Sequence, residues 1–156
     1  MLNGIGLISF ILMFHGELSI NLNPSREVLS LINAQRAKGC RCGKNYFPPQ
    51  APLVWNDTIA KAAQGHADYL AASNRLSHRD QKGSMARERL SRVGYSYQSY
   101  AENIAEGFFS AEEVVKAWVE SPMHCRNLMG KYEETAVGYS KGYWVQNFGT
   151  PQKRGQ

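Results

Sequence analysis

The fold class this sequence predicts is α+β, and three observations predict it. Apolar residues recur at helical spacing behind recognisable caps. Two segments near the end, rich in aromatic and β-branched residues, face each other across a Lys-Gly turn. The 156 residues contain no repeat and no interior linker. A chain of this length fills one domain and buries roughly 70% of its unfolded surface. With 43% apolar, 11% aromatic and 20% charged residues it falls outside the disordered, collagen-like and coiled-coil classes.

Taken in order, Ser25 caps a helix predicted to run to Lys38, with Val28, Leu31 and Ile32 facing the core and Gly39 as its stop. From Cys40 to Trp55, Gly43, Pro48, Pro49 and Pro52 predict an irregular loop that needs fixing from outside. A second helix starts at Asn56 or Asp57 and presents Ile59, Ala63, Ala67 and Leu70 on one face. Asn56-Asp57-Thr58 also spells a glycosylation sequon, but a helix start uses the same residue types for capping, and the cap reading prevails. A third helix runs from Ser84 to Gly94. Ser110 and Glu113 form a capping box for a fourth, with Val114, Val115 and Trp118 inward. Ser121-Pro122 opens a short fifth helix that ends at Gly130. Thr135 to Ser140 and Tyr143 to Phe148 form a hairpin about Lys141-Gly142, and Ala101 to Gly107 supplies a third strand. Helices therefore flank a small antiparallel sheet.

The run from Ile5 to Phe14 is apolar apart from Ser9. At ten residues it matches the core of a secretory signal rather than a membrane span of about 20. Residues 1–22 are read as that signal and 23–156 as one domain, secreted or displayed outside the cell. Eighteen Lys and Arg against 13 Asp and Glu give a net charge of +5, a bias toward anionic partners such as cell-envelope polymers or lipid headgroups. The basic residues are scattered, with no basic helix or aromatic ladder, so specific nucleic-acid binding is not expected.

Cys40 and Cys42 are one residue apart, too tight for the Cys-x-x-Cys hook of a zinc ribbon, and a structural zinc site is not expected there. In an oxidising compartment Cys125 pairs with Cys40 or Cys42 and one thiol stays free. Loop closure credits such a long-range bridge with roughly 4 to 5 kcal/mol.

Among the histidines, His66 follows Ile59 by seven residues, on or near the apolar face of its helix, and is read as a buried, hydrogen-bonded residue. His78 sits in the polar loop Ser77-His78-Arg79-Asp80, free to point into a site. His124 falls at the third position of the short helix, where the positive dipole end favours a neutral imidazole able to ligate a metal. Glu102 lies in a strand of otherwise small and apolar residues, which calls for an exposed edge or a compensated cavity. Glu120, just before the helix of His124, reads from spacing alone as a solvated helix end. Gly138-Tyr139-Ser140-Lys141-Gly142 fits the nucleophile-elbow pattern, but a strand follows instead of a helix and no histidine follows His124, so it is a hairpin turn. A thiol protease built on Cys125 finds its neighbour His124 about 100° away around the helix, although His78 stays able to approach it.

The order Trp55-Asn56, the small-residue helix around Ala67, Leu76-Ser77-His78, Ala101-Glu102-Asn103-Ile104-Ala105, Ala117-Trp118 and Ser121-Pro122-x-His124, closing on Trp144-Val145-Gln146-Asn147-Phe148-Gly149, resembles the CAP superfamily. That secreted fold is shared by cysteine-rich secretory proteins, insect antigens and pathogenesis-related plant proteins. The chain resembles its short bacterial version, with the similarity running from about Val28 to Phe148. The resemblance implies an α-β-α sandwich whose central cleft holds two histidines and two acidic residues and binds a divalent cation, often zinc. The matching positions are His78, Glu102 and His124, with Glu120 as the fourth. Imidazole and carboxylate donors suit Zn²⁺. Two functions follow as expectations. The first is a binding module for an extracellular ligand, cell-envelope polymer or lipid. The alternative is a metal-assisted hydrolase of peptide or envelope material, with Glu102 as general base.

Overall fold

The computed structural model describes residues 24–153, so the secretory-signal reading of residues 1–22 lies outside the described residues. The elements run α1 (Pro24–Lys38), β1 (Cys40–Cys42), β2 (Asn45–Phe47), β3 (Val54–Trp55), α2 (Asp57–Ser73), α3 (Ala86–Arg92), β4 (Tyr97–Glu106), α4 (Ala111–Glu120), α5 (Pro122–Leu128), β5 (Glu134–Ser140) and β6 (Tyr143–Pro151). The main sheet has the order β3-β5-β6-β4, which makes β6 central and leaves β4 on an edge. Helices cover both faces. Val28 and Ile32 of α1 and Val114, Val115 and Trp118 of α4 bury against Val137, Trp144 and Phe148. Ala63, Ala67 and Leu70 of α2 bury against Ile104, Tyr143 and Val145 on the other face. The alternation along β6 is what period-two geometry requires of a strand buried on both sides. Among the described residues no helix is long and apolar enough to cross a membrane.

Several local expectations hold for the stated reasons. The Asn56 side chain accepts from the backbone N–H groups of Thr58 and Ile59, so it is the cap of α2. Ser110 and Glu113 cap α4 reciprocally. Others need correction. The segment from Cys40 to Trp55 is not wholly irregular, because β1 and β2 pair as a small antiparallel hairpin and β3 pairs with β5 in parallel, so the main sheet is antiparallel except at that two-residue edge. α3 is also shorter than predicted. Its first turn is displaced to Ala86 because Asp80 Oδ1 accepts from the backbone N–H groups of Lys82 and Ser84 and holds that stretch as a turn.

The nucleophile-elbow letters have a structural account. Lys141 and Gly142 carry φ of 48° and 85°, the double positive φ that a two-residue hairpin turn of matching twist demands. Gly138 lies under α2, where an added Cβ would meet the backbone of Ala63 and Gln64 at 2.5 Å. Gly138→Ala is therefore expected to cost about 1–3 kcal/mol by pushing helix from sheet, read as a lower denaturant midpoint. An unshifted midpoint would contradict this packing.

Candidate functional site

The site is assembled around the edge strand β4. The Glu102 side chain is only 4% exposed, and every oxygen on it is engaged. Oε1 pairs with His78 Nδ1 at 2.8 Å; Oε2 accepts from Arg89 at 2.5 Å and from the Asn147 side-chain amide at 2.9 Å. Burial pushes this carboxyl up. The hydrogen bond from His78, the charge and hydrogen bond of Arg89, and the Asn147 contact outweigh that and hold it below the ordinary carboxylate range. A charge in a small-residue strand is thus tolerated because it is compensated. Arg89, itself buried, is fixed in turn by the carbonyls of His78 and Ser84.

His78 is half-exposed, and its Nδ1 contact with a carboxylate places a proton on that nitrogen, so that in the neutral imidazole Nε2 is the nitrogen open to a ligand. His124 comes from α5, which is moored to the same strand: the Asn103 side chain donates to the His124 carbonyl, and the Asn127 side chain donates to the Glu102 carbonyl and to Asn103 Oδ1. Burial, then the neighbouring His78, lower the His124 pKa and favour its neutral form, so the helix terminus is not the leading cause. Glu120 is exposed at the end of α4 and lines a groove with Phe108, Phe109, Glu113 and Lys116, a set that includes none of His78, Glu102 and His124.

A second constellation forms where β1 meets α5. Cys42 and Cys125 form a disulfide that ties β1 to α5, and Cys40 is the free thiol. Its Sγ is nonetheless 3.2 Å from that of Cys125 and 3.7 Å from that of Cys42. Among the described residues these three sulfurs are the one set of three or more possible ligand atoms lying within 4.8 Å of one another, two of them joined by the bridge. One bridge to Cys125 with a third thiol left free is the arrangement expected from sequence, and while that bridge is formed two of the three sulfurs are not thiolates. The bridge also removes the thiol-protease reading, since Cys125 has no free thiol.

The model of the cysteine-rich secretory protein family, CAP, matches residues 48–148, a span that contains His78, Glu102 and His124. The chain belongs to this family. YkwD of Bacillus subtilis (strain 168) is 31% identical over 127 residues, 79% of this chain and 46% of that protein. Pathogenesis-related protein 1A of Nicotiana tabacum is 33% identical over 76 residues, 47% of this chain and 35% of that protein. The chain therefore spans less than half the length of these curated relatives. Among solved structures, an extracellular protein containing an SCP domain from Bacillus anthracis str. Ames superposes with TM-score 0.71 at 25% identity, covering 81% of this chain and 40% of that one.

Two residues of this CAP site were missed from sequence. Arg89 sits among Arg87, Glu88 and Arg92 on a seven-residue helix, where periodicity does not separate the buried basic residue from the exposed ones. Asn147 had a weak signal, as one of two adjacent amides, with Gln146, in a strand of mostly apolar residues. It stands opposite Glu102 in the β4–β6 register.

His66 is buried as expected, with Nε2 on the Ser77 carbonyl at 2.8 Å. Burial first, and repulsion from Arg89 second, lower its pKa. The folded state of the CAP domain then resists a proton that the unfolded chain takes up near pH ~6.5. Its contribution is fully present above that pH and is lost as the pH falls. Denaturation midpoints should drop between pH 7.5 and pH 5, and more shallowly in His66→Gln; equal slopes in the two proteins would refute the assignment.

Proposed function

We propose that this CAP domain is an extracellular binding module whose cleft takes a divalent cation, Zn²⁺ by donor type, and presents it to an anionic envelope polymer or lipid surface. The observation that carries the reading is the 2.8 Å contact between Glu102 and His78 Nδ1, the carboxylate–histidine pairing that orients an imidazole for a metal. With both of its oxygens engaged, Glu102 serves this reading as the residue that sets His78 and as a nearby negative charge. His78 Nε2 and the neutral imidazole of His124 are the first donors. Two imidazoles with open positions describe a weak, exchangeable site that a bound cation leaves accessible. The net charge of +5, raised further by a divalent ion, supports an anionic partner. The same hydrogen bonds weigh against the hydrolase reading, because a carboxylate held below its usual pKa and filled by three donors is a poor general base.

The test is calorimetric. Oxidised protein with Cys40 alkylated, titrated with Zn²⁺ near pH 6.5, should bind one ion with a measurable heat. His78→Ala/His124→Ala should abolish that heat, and a trace unchanged by the double variant sinks the site. Glu120→Gln decides the proposed fourth ligand, since an unaltered titration removes Glu120 from the set. Turnover of peptide or cell-wall substrates that vanishes in both single histidine variants would favour the enzyme instead.

A further inference from the structure

The three-sulfur cluster shares no residue with the His78, Glu102 and His124 set. Cys40 and Cys42 alternate by two along β1, so the pleat turns both side chains to the face that meets α5. Cys125 projects from α5 toward them. One turn on, Met129 donates its backbone N–H to the Cys125 carbonyl, is 1% exposed, and packs in the same buried cluster, with Cys40 and Phe47 against it. The Met129 side chain and the three cysteines thus belong to one buried cluster.

Two chemistries compete for a free thiol beside a disulfide. Thiol–disulfide exchange needs the attacking sulfur in line with the bond, which places it about 2 Å farther from the leaving sulfur than from the one attacked. Cys40 is 3.2 Å from Cys125 and 3.7 Å from Cys42, so it lies beside the bond and not at its end. A side-on triangle is a coordination geometry. Metal–thiolate bonds of about 2.3 Å in a trigonal or tetrahedral set separate sulfurs by about 3.7–4.0 Å, and the Cys40–Cys42 edge already has that length.

We propose that reduction of Cys42–Cys125 converts this cluster into a binding site for one thiophilic d10 cation, Cu⁺ ahead of Zn²⁺, held by the thiolates of Cys40, Cys42 and Cys125 with Met129 as a fourth soft donor. An external phosphine or dithiol supplies two electrons and is itself oxidised. The S–S bond breaks, and the two sulfurs take two protons from solvent. As Cu⁺ binds, the ligating thiols return their protons to solvent and three sulfur–metal bonds form. Soft sulfur donors select Cu⁺ and Zn²⁺ over hard cations, and the thioether tips the set toward Cu⁺. β1 and α5 stay joined in both redox states, covalently in one and through the cation in the other.

The experiment uses the full chain in a His78→Ala/His124→Ala background, which removes the cleft imidazoles. After anaerobic reduction with a phosphine and desalting, Cu⁺ is titrated against a chromophoric chelator and X-ray absorption is recorded at the metal. One Cu⁺ per reduced chain, a sulfur-only shell at about 2.3 Å and negligible uptake by the oxidised chain are expected. Cys40→Ser, which keeps the Cys42–Cys125 pair, should bind at least about tenfold more weakly after reduction. Equal affinity in Cys40→Ser, equal uptake by oxidised protein, nitrogen or oxygen neighbours, or Zn²⁺ outcompeting Cu⁺ overturns the proposal. If reduction alone unfolds the chain, recovery of circular dichroism on adding Cu⁺ supports the site, and failure to recover it overturns it.

Discussion

Cys125→Ser is expected to destabilise the domain by about 4–5 kcal/mol in non-reducing buffer, while Cys42→Ser loses far less. The first number follows from the loop: the bridge joins residues 83 positions apart, and the variant loses the roughly 4–5 kcal/mol that the entropic model credits to closing a loop of that size. The asymmetry follows from Cys40. With Cys42 gone, the Cys40 sulfur stands 3.2 Å from Cys125 on the same face of β1 and oxidises with it in place of its neighbour. Cys125 has no such understudy. Urea denaturation of both variants, with non-reducing peptide mapping to identify the bridge, checks the pair of results. Equal losses in the two variants, or an unbridged Cys42→Ser protein, would contradict the account.

Glu102→Ala is expected to cost about 3–5 kcal/mol, the penalty for leaving a buried charge without its partner. Arg89 is 5% exposed, and its carboxylate lies at 2.5 Å. Truncating Glu102 also strips the Asn147 amide and His78 Nδ1 of their acceptor. Arg89→Met should recover part of the loss in the Glu102→Ala background, since removing both charges is cheaper than removing one. A double-mutant cycle with additive effects, or a loss under about 1 kcal/mol for Glu102→Ala, would mean that the buried pair does not hold this part of the fold together. Zn²⁺ affinity should fall along with stability, because His78 loses the group that orients it.

What was legible beforehand divides along physical lines. Capping at Asn56 and Ser110 is a contact between a side chain and backbone two or three residues away, so spacing exposes it. The turn at Lys141-Gly142 is likewise a local backbone requirement. Glu102 was legible because burying a carboxylate among small residues demands compensation, and that demand can be read without knowing which residue meets it. Arg89 and Asn147 were not legible, because they join Glu102 only through α3 packing at β4 and the β4–β6 register. The hairpin of β1 and β2 was hidden inside a proline-rich stretch, where local punctuation masked two three-residue strands.

By itself the chain of residues determined the α+β class and the order of its helices and terminal hairpin, because these are matters of local periodicity, and it singled out Glu102 as a residue type out of place, while the grouping of His78, Glu102 and His124 came from the resemblance to the CAP superfamily. Tertiary structure alone decided that Cys42 rather than Cys40 holds Cys125, that Cys40 rests beside that bond, and that Arg89 neutralises Glu102. Those choices depend on distances between segments tens of residues apart, which are set by how helices seat on a sheet and leave no trace in the spacing along the chain.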